Sequence, residues 1–168
     1  MPLRRIRITA FLAAALSLAA ALPSFAAVDW RTWDDGLARA KKAKRPVIVD
    51  VYTNWCGWCR RMDAEVYGRP DVADYIAGHF VTVKLNAESS ETVHQNDRPL
   101  TARTLASNYR VTGYPTTIFL DADGGHMTNV PGYVPADKFL LLLRYIGDGH
   151  MDRGEKWDDY VKSQGGAK

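Results

Sequence analysis

The chain holds two cysteines, Cys56 and Cys59, and both fall in the stretch YTNWCGWCRRM at positions 52–62. A Cys-x-x-Cys serves as a redox pair, as half of a zinc site, as a haem attachment point or as a copper clip. A disulfide that stabilises a fold usually closes a long loop, because more denatured-state entropy is then removed. Joining Cys56 to Cys59 closes almost nothing, so a chemical role is favoured over a stabilising one.

The neighbouring residues narrow the choice. Structural zinc needs four ligands, as two such pairs or as a pair with two histidines. The four histidines, at 79, 94, 126 and 150, show no ligand spacing. Haem attachment requires His after the second cysteine, and Arg60 stands there. A copper clip completed by one distant histidine stays open.

Residues 1–26, MPLRRIRITAFLAAALSLAAALPSFA, set Arg4, Arg5 and Arg7 before an apolar run from Ala10 to Leu22. Ser24-Phe25-Ala26 then supplies the small-x-small pattern of a signal-peptidase site. This is the pattern of a cleaved secretory signal. The run falls short of the roughly 20 apolar residues that a membrane span needs, so removal after Ala26 is expected rather than anchoring. The chain is therefore expected in the bacterial periplasm, an oxidising compartment.

Without residues 1–26 the charge is balanced, 19 Lys and Arg against 19 Asp and Glu. No basic stripe points to nucleic acid. Residues 27–149 read as one domain, long enough to bury a core, and 150–168 as a polar tail in which Trp157, Tyr160 and Val161 could form a docking turn. No cofactor, no metal and no nucleic-acid partner is expected, and the protein is expected to be a monomer.

Along the domain, Trp30, Trp33, Leu37 and Ala40 recur at helical spacing with Asp29 placed as a cap. VIVDVYT (47–53) reads as a buried strand, and a helix begins at the cysteines with Met62 and Val66 inward. A short helix over 71–77, the strand FVTVKLN (80–86) and a polar loop over 87–103 follow. Next come a helix near 104–109, the strand TTIFLDA (116–122), a DADGG turn into a strand near 126–132, and the helix opened by Pro135. This order implies an α/β domain with a mixed sheet.

Two cysteines three apart at a helix start lie within about 5–6 Å of each other. A disulfide can then form and break with the backbone still. Cys56 meets the unpaired N–H groups and the positive end of the helix, which stabilise a thiolate, the attacking species in disulfide exchange. Cys56 is thus expected to be exposed and to attack, and Cys59, one turn in under Trp58, to resolve the mixed disulfide. Asp50 in an apolar strand is costly to bury unpaired, which favours a role near the cysteines, as proton acceptor for Cys59.

These residues resemble the thioredoxin superfamily. Trp55-Cys56-Gly57-Trp58-Cys59 is similar to its active-site motif, Asp50 to its buried aspartate and Lys84 to the lysine near that aspartate. Gly113-Tyr114-Pro115-Thr116 resembles the segment with a cis-proline facing the cysteines, and Gly132 fits the position before the last helix. The resemblance runs from about residue 45 to 147, and CRRMDAEVYGRPDVADYIAGHFVTVKLN is similar to the exported branch. Trp58 replaces thioredoxin's usual proline, the kinking proline of the second helix is absent near Ala64, and 87–103 is longer.

The resemblance implies a thioredoxin fold with a central mixed sheet of four to five strands and helices on both faces. It implies a thiol:disulfide oxidoreductase whose catalytic residues are Cys56, Cys59, Asp50 and Lys84, although Lys84 reads equally as a strand-end surface charge. Trp55, Gly57, Trp58, Tyr114 and Pro115 would form the substrate-binding surface. Exported proteins with disulfides would be the substrates and a membrane thiol protein the electron donor. The expected direction is reduction; disulfide introduction, a non-catalytic binding module and copper delivery are the alternatives.

Overall fold

The computed structural model describes residues 27–165; the expected signal segment lies outside them. Strands β1 (Trp30–Arg31), β2 (Val47–Tyr52), β3 (Val81–Asn86), β6 (Thr116–Leu120) and β7 (His126–Pro131) form one sheet in the order β1-β3-β2-β6-β7. β1 and β2 run parallel to β3, whereas β6 is antiparallel to β2 and β7 to β6. β4 (Thr92–Gln95) and β5 (Arg98–Thr101) form a separate antiparallel hairpin. The helices are α1 (Trp33–Ala43), α2 (Gly57–Met62), α3 (Pro70–His79), α4 (Ala102–Asn108), α5 (Ala136–Gly147) and α6 (Trp157–Ser163). This is an α/β fold with a mixed five-stranded sheet, as expected.

Side chains alternate across a strand, and β2 separates two cores accordingly. Val47, Val49 and Val51 join Val83, Leu85, Ile118 and Leu120 in a layer closed by Trp33 and Ala40 of α1 and Leu105 of α4. On the other face Ile48 and Phe119 meet Met62, Val72, Ile76, Phe139 and Leu143 from α2, α3 and α5. Asp50 occupies an even position of β2. It therefore points to the second face, the side covered by the helix that carries the cysteines.

Several local expectations need correction. Trp30 is in β1, paired with Thr82, and α1 begins only at Trp33 with Thr32 as its cap residue. Asp29 does not cap it: its carboxylate accepts from Arg31 and its carbonyl accepts from the Thr82 hydroxyl. Trp30 merely falls three positions before Trp33, which mimics a helical repeat. The 87–103 stretch is not a plain loop, since it holds the β4–β5 hairpin with Val93 buried and Leu100 against the first core. Asn96 and Asp97 turn it with φ of 52° and 61°, values that asparagine and aspartate tolerate. Only two apolar residues alternate there and Pro99 interrupts the run, so the pattern is faint.

After α2 the ladder widens into a π-helical turn, Asp63–Tyr67, which buries Val66 and Tyr67. It lies near Ala64, where the superfamily's proline kink is missing, and such turns bend helices without proline. The tail folds back as α6, with Tyr160 buried in the second core and Trp157 packed edge-on to Tyr145.

α1 approaches β3 so closely that a Cβ at Gly36 would sit 2.2 Å from Cγ2 of Val83. Helix propensity alone would favour Gly36→Ala by about 1 kcal/mol, but overpacking costs about 1–3 kcal/mol, and both atoms are in the core. Gly36→Ala should lower the urea midpoint at unchanged slope, and Val83→Ala should cost less in that background than in the parent. Additive costs, or a stabilised Gly36→Ala, would refute the close contact.

Candidate active site

The central strand delivers the cysteines. β2 ends at Tyr52, and the Cys56 N–H donates to the Thr53 carbonyl at 3.1 Å. Cys56 is the cap residue of α2 with extended dihedrals, φ −70° and ψ 104°, and its Sγ accepts from the Cys59 N–H at 3.0 Å. The two sulfurs form a disulfide with the Cα atoms 5.3 Å apart. A charge on Cys56 Sγ would be stabilised by that N–H and the helix end, whereas Cys59 lies a turn further in. Exposure does not separate the two: Cys56 is 4% and Cys59 3% accessible. The first cysteine is therefore not the exposed residue expected, because its sulfur turns inward onto the helix's first turn. The helix terminus alone distinguishes them.

Around this covered disulfide stand the two large exposed apolar side chains of the described residues, Trp55 at 65% and Trp58 at 53%. Trp55 lies edge-on to Tyr114, centroids 5.9 Å apart, and its indole N–H donates to Glu88 at 3.0 Å. Trp58 leans on Tyr133 at 5.5 Å, and the Arg61 guanidinium sits over both rings, 5.2 and 5.4 Å from their centroids. Glu65 accepts from Arg61 at 2.9 Å and from the Tyr133 hydroxyl at 2.7 Å, holding that stack in place. The Tyr114–Pro115 peptide bond is cis, as expected, and the Pro115 carbonyl accepts from the Gly132 N–H at 2.8 Å. Gly57 opens α2 between the cysteines, and the nearest atom to a Cβ built there is a flexible Arg60 guanidinium nitrogen at 3.8 Å.

Below α2, strand register lines up a polar row. Lys84 of β3 and Thr117 of β6 are the lateral partners of Asp50 in β2, all three facing the helix side. The Asp50 carboxylate is 1% exposed, and neither oxygen hydrogen-bonds to a protein group in the described residues. Lys84 Nζ approaches one of them at 3.4 Å, a charge contact without a hydrogen bond, while it donates to both oxygens of Asp63 at 2.6 and 2.7 Å. Lys84 is thus no free surface charge. It is an ammonium shared unequally between two acids and set against the rings of Trp30 and Tyr52. Burial pushes the Asp50 carboxyl up to about 6; Lys84 draws it down, and Asp63 pushes it further up. The buried Tyr67 hydroxyl, 3.3 Å from the Thr117 hydroxyl, closes the row, its own pKa raised by burial and by the Asp50 charge.

The structure thus brings Asp50 and Lys84 together on the sheet face that α2 covers, and sets Trp55, next to Cys56, against Tyr114, the residue before cis-Pro115. Sequence reasoning overlooked Asp63, Glu88 and the Arg61–Glu65–Tyr133 stack. Asp63 follows Cys59 by one helical turn and Glu65 follows Arg61 by four residues, so both had a helical-spacing signal. Glu88 and Tyr133 come from distant loops and had none. Among the described residues no cluster of His, Cys, Asp or Glu is arranged to hold a metal ion.

An aspartate whose folded pKa lies above its unfolded value takes up a proton on folding at any pH between the two. Stability from Asp50 is therefore present below about pH 4 and lost as pH rises toward 6. A shift of about two units corresponds to about 3 kcal/mol. Asp50→Asn should gain on the parent across that window and exceed it at pH 7 by up to about this much, the attraction of Lys84 being already included in the shift. Urea unfolding at pH 4 and 7 measures this; a difference that stays constant would remove the buried-acid assignment.

A family model described as a thioredoxin-like domain matches residues 33–147. A disulfide bond reductase, DsbH, of Chlamydia pneumoniae is 27% identical over 129 residues, covering 70% of this chain and 75% of that protein. The thiol:disulfide interchange protein DsbD of Vibrio vulnificus is 33% identical over 114 residues, covering 67% of this chain but only 18% of its own. A thioredoxin from Thermus thermophilus superposes with a TM-score of 0.62 at 26% identity, over 77% of this chain and 95% of that one. With the family model spanning residues 33–147 and a cysteine pair at a helix start, the chain belongs to the thioredoxin-like domain family.

Proposed function

We propose that this chain is an exported thiol:disulfide oxidoreductase that works as a reductase of disulfides in other periplasmic proteins. The observation that carries the chemistry is the Cys56–Cys59 disulfide closed across the first turn of α2. The direction is supported by the relative named a disulfide bond reductase, and export by the basic, apolar, small-residue order of residues 1–26.

In the reduced protein the Cys56 thiolate attacks one sulfur of a substrate disulfide. The substrate S–S bond breaks, its second sulfur leaves as a thiolate, and a mixed disulfide remains on Cys56. Asp50, on the strand face under the helix, accepts the proton of Cys59. The Cys59 thiolate then attacks Cys56 Sγ, the protein disulfide forms, and the substrate departs as a dithiol. A carboxyl near 6 is mostly ionised at neutral pH yet still basic, which suits this transfer. Lys84 holds charge beside it. Trp55, Trp58, Tyr114 and Pro115 form the surface that receives the substrate chain, and Gly57 keeps the space between the cysteines open. Two electrons per turnover must return to the disulfide, and a membrane thiol protein is the donor we assign.

Cys59→Ser leaves the attack intact and removes resolution. Exported proteins should accumulate on it as covalent adducts released by reductant, and Cys56→Ser should collect none. Wild type should rest mainly as the dithiol in cells with an intact donor, read by thiol trapping and gel shift. A fully oxidised resting state would overturn the reductase direction. Absence of adducts would overturn the exchange chemistry itself.

Asp50→Asn should keep the disulfide and lower turnover about 10²-fold, the lower end of the usual range for acid–base help, because a thiolate leaving group needs little assistance. An unaltered rate on several protein disulfides would leave Asp50 without a part in proton transfer.

A further inference from the structure

We propose that the trough between the outer edge of β7 and the tail-covered side of α5 is a second binding subsite, which takes an extended, apolar segment of the substrate protein away from its reacting cysteine. This rests on the thiol-exchange reading above.

β7 is the last strand of the sheet, so its outer edge has no strand partner among the described residues. Beside that edge lies a cavity of about 520 Å³ lined by Val130 of β7, Tyr133, Leu142 and Tyr145 of α5, and Met151 and Trp157 of the tail. Lys138 is the only charged side chain in its wall. Most monomeric chains blunt an exposed edge with charge or cover it; here an apolar wall runs beside it. An unpaired edge offers main-chain hydrogen bonds and the adjacent wall takes alternate side chains, the two elements of recognition by strand addition. An extended chain fits both. A small apolar ligand would leave the edge unused.

The trough is continuous with the active site at one end. Tyr133 lines it and also stacks on Trp58 inside the cysteine motif. β7 finishes at Pro131, and the next residue, Gly132, donates to the carbonyl of cis-Pro115. A chain entering past Pro115 and Tyr133 can therefore continue along β7. Six strand residues span about 20 Å at 3.3 Å each, so the apolar residues it reads lie about four to six positions from the substrate cysteine. The tail supplies the far wall: Tyr145 and Trp157 pack edge-on, and the Tyr145 hydroxyl donates to the Glu155 carbonyl.

The test compares full-length reduced protein on three probes: oxidised glutathione, a disulfide-bearing peptide with Val, Phe and Leu four to six positions from one cysteine, and the same peptide with Ser there. The kcat/KM ratio of the apolar to the Ser peptide should be about tenfold or more. In Leu142→Glu it should fall to near one, through KM. Met151→Glu, on the tail rather than the helix, gives the same reading should Leu142→Glu not fold, with thermal unfolding as the check on both. A redox-inert copy of the apolar peptide with its cysteines replaced by serine should shift amide signals of β7 and α6. Equal kcat/KM for both peptides, ratios unmoved by either substitution, or concentration-dependent self-association through this face would overturn the subsite. Failure to reduce glutathione disulfide as well would instead count against the exchange reading.

Discussion

The site depends on β2 being buried on both faces. A central strand with apolar neighbours above and below must alternate its side chains between two cores, and only one position of VIVDVY breaks the apolar run. That position is even, so its carboxylate faces α2, α3 and α5 together with Ile48, while Val47, Val49 and Val51 face α1 and α4. A slip of one residue would send Asp50 into the opposite core, away from the cysteine helix. The register that packs the valines therefore also places the acid.

The electrostatics of that row are a contest for one ammonium. Lys84 gives two short hydrogen bonds to Asp63 and only a 3.4 Å contact to Asp50. A fully paired Asp50 would be held low, because an opposite charge at hydrogen-bonding distance favours the ionised form. Instead burial dominates and pushes the carboxyl up to about 6. A buried acid with neither oxygen hydrogen-bonded is costly, and a carboxyl shifted by burial next to a charge partner marks a candidate functional position. Asp63 belongs to the π-helical turn that continues α2, so the same segment that carries Cys59 also takes the lysine's hydrogen bonds.

Legibility followed sequence range. The four longer strands of the sheet, the cysteine helix, the cis bond before Pro115 and the inward Met62 and Val66 come from local periodicity or from a run of residues that resembles a known segment, whereas the two-residue β1 does not. The hairpin over 92–101 was illegible because its two inward residues, Val93 and Leu100, are separated by polar residues, a proline and an Asn-Asp turn. The start of α1 was misplaced because Trp30 keeps helical phase with Trp33 while its backbone pairs with Thr82. The Trp55–Glu88 and Trp58–Tyr133 contacts join residues far apart in the chain, and no spacing rule announces them. Neither did composition reveal that Cys56 is as covered as Cys59.

Cys56 offers only 4% of its surface, whereas the two tryptophans beside it stand 65% and 53% exposed. Both indoles are held from outside the motif, Trp55 by Glu88 after β3 and Trp58 by Arg61 and Tyr133. Fixing them in advance lowers the ordering cost of docking. The loops after β3 and β7 thus supply Glu88 and Tyr133, the groups that hold the two indoles, while α2 and the central strand carry the cysteines and Asp50. The row of Lys84, Asp50 and Thr117 draws on neither loop, since strand register lines it up and Asp63 of the π-helical turn takes the hydrogen bonds of Lys84.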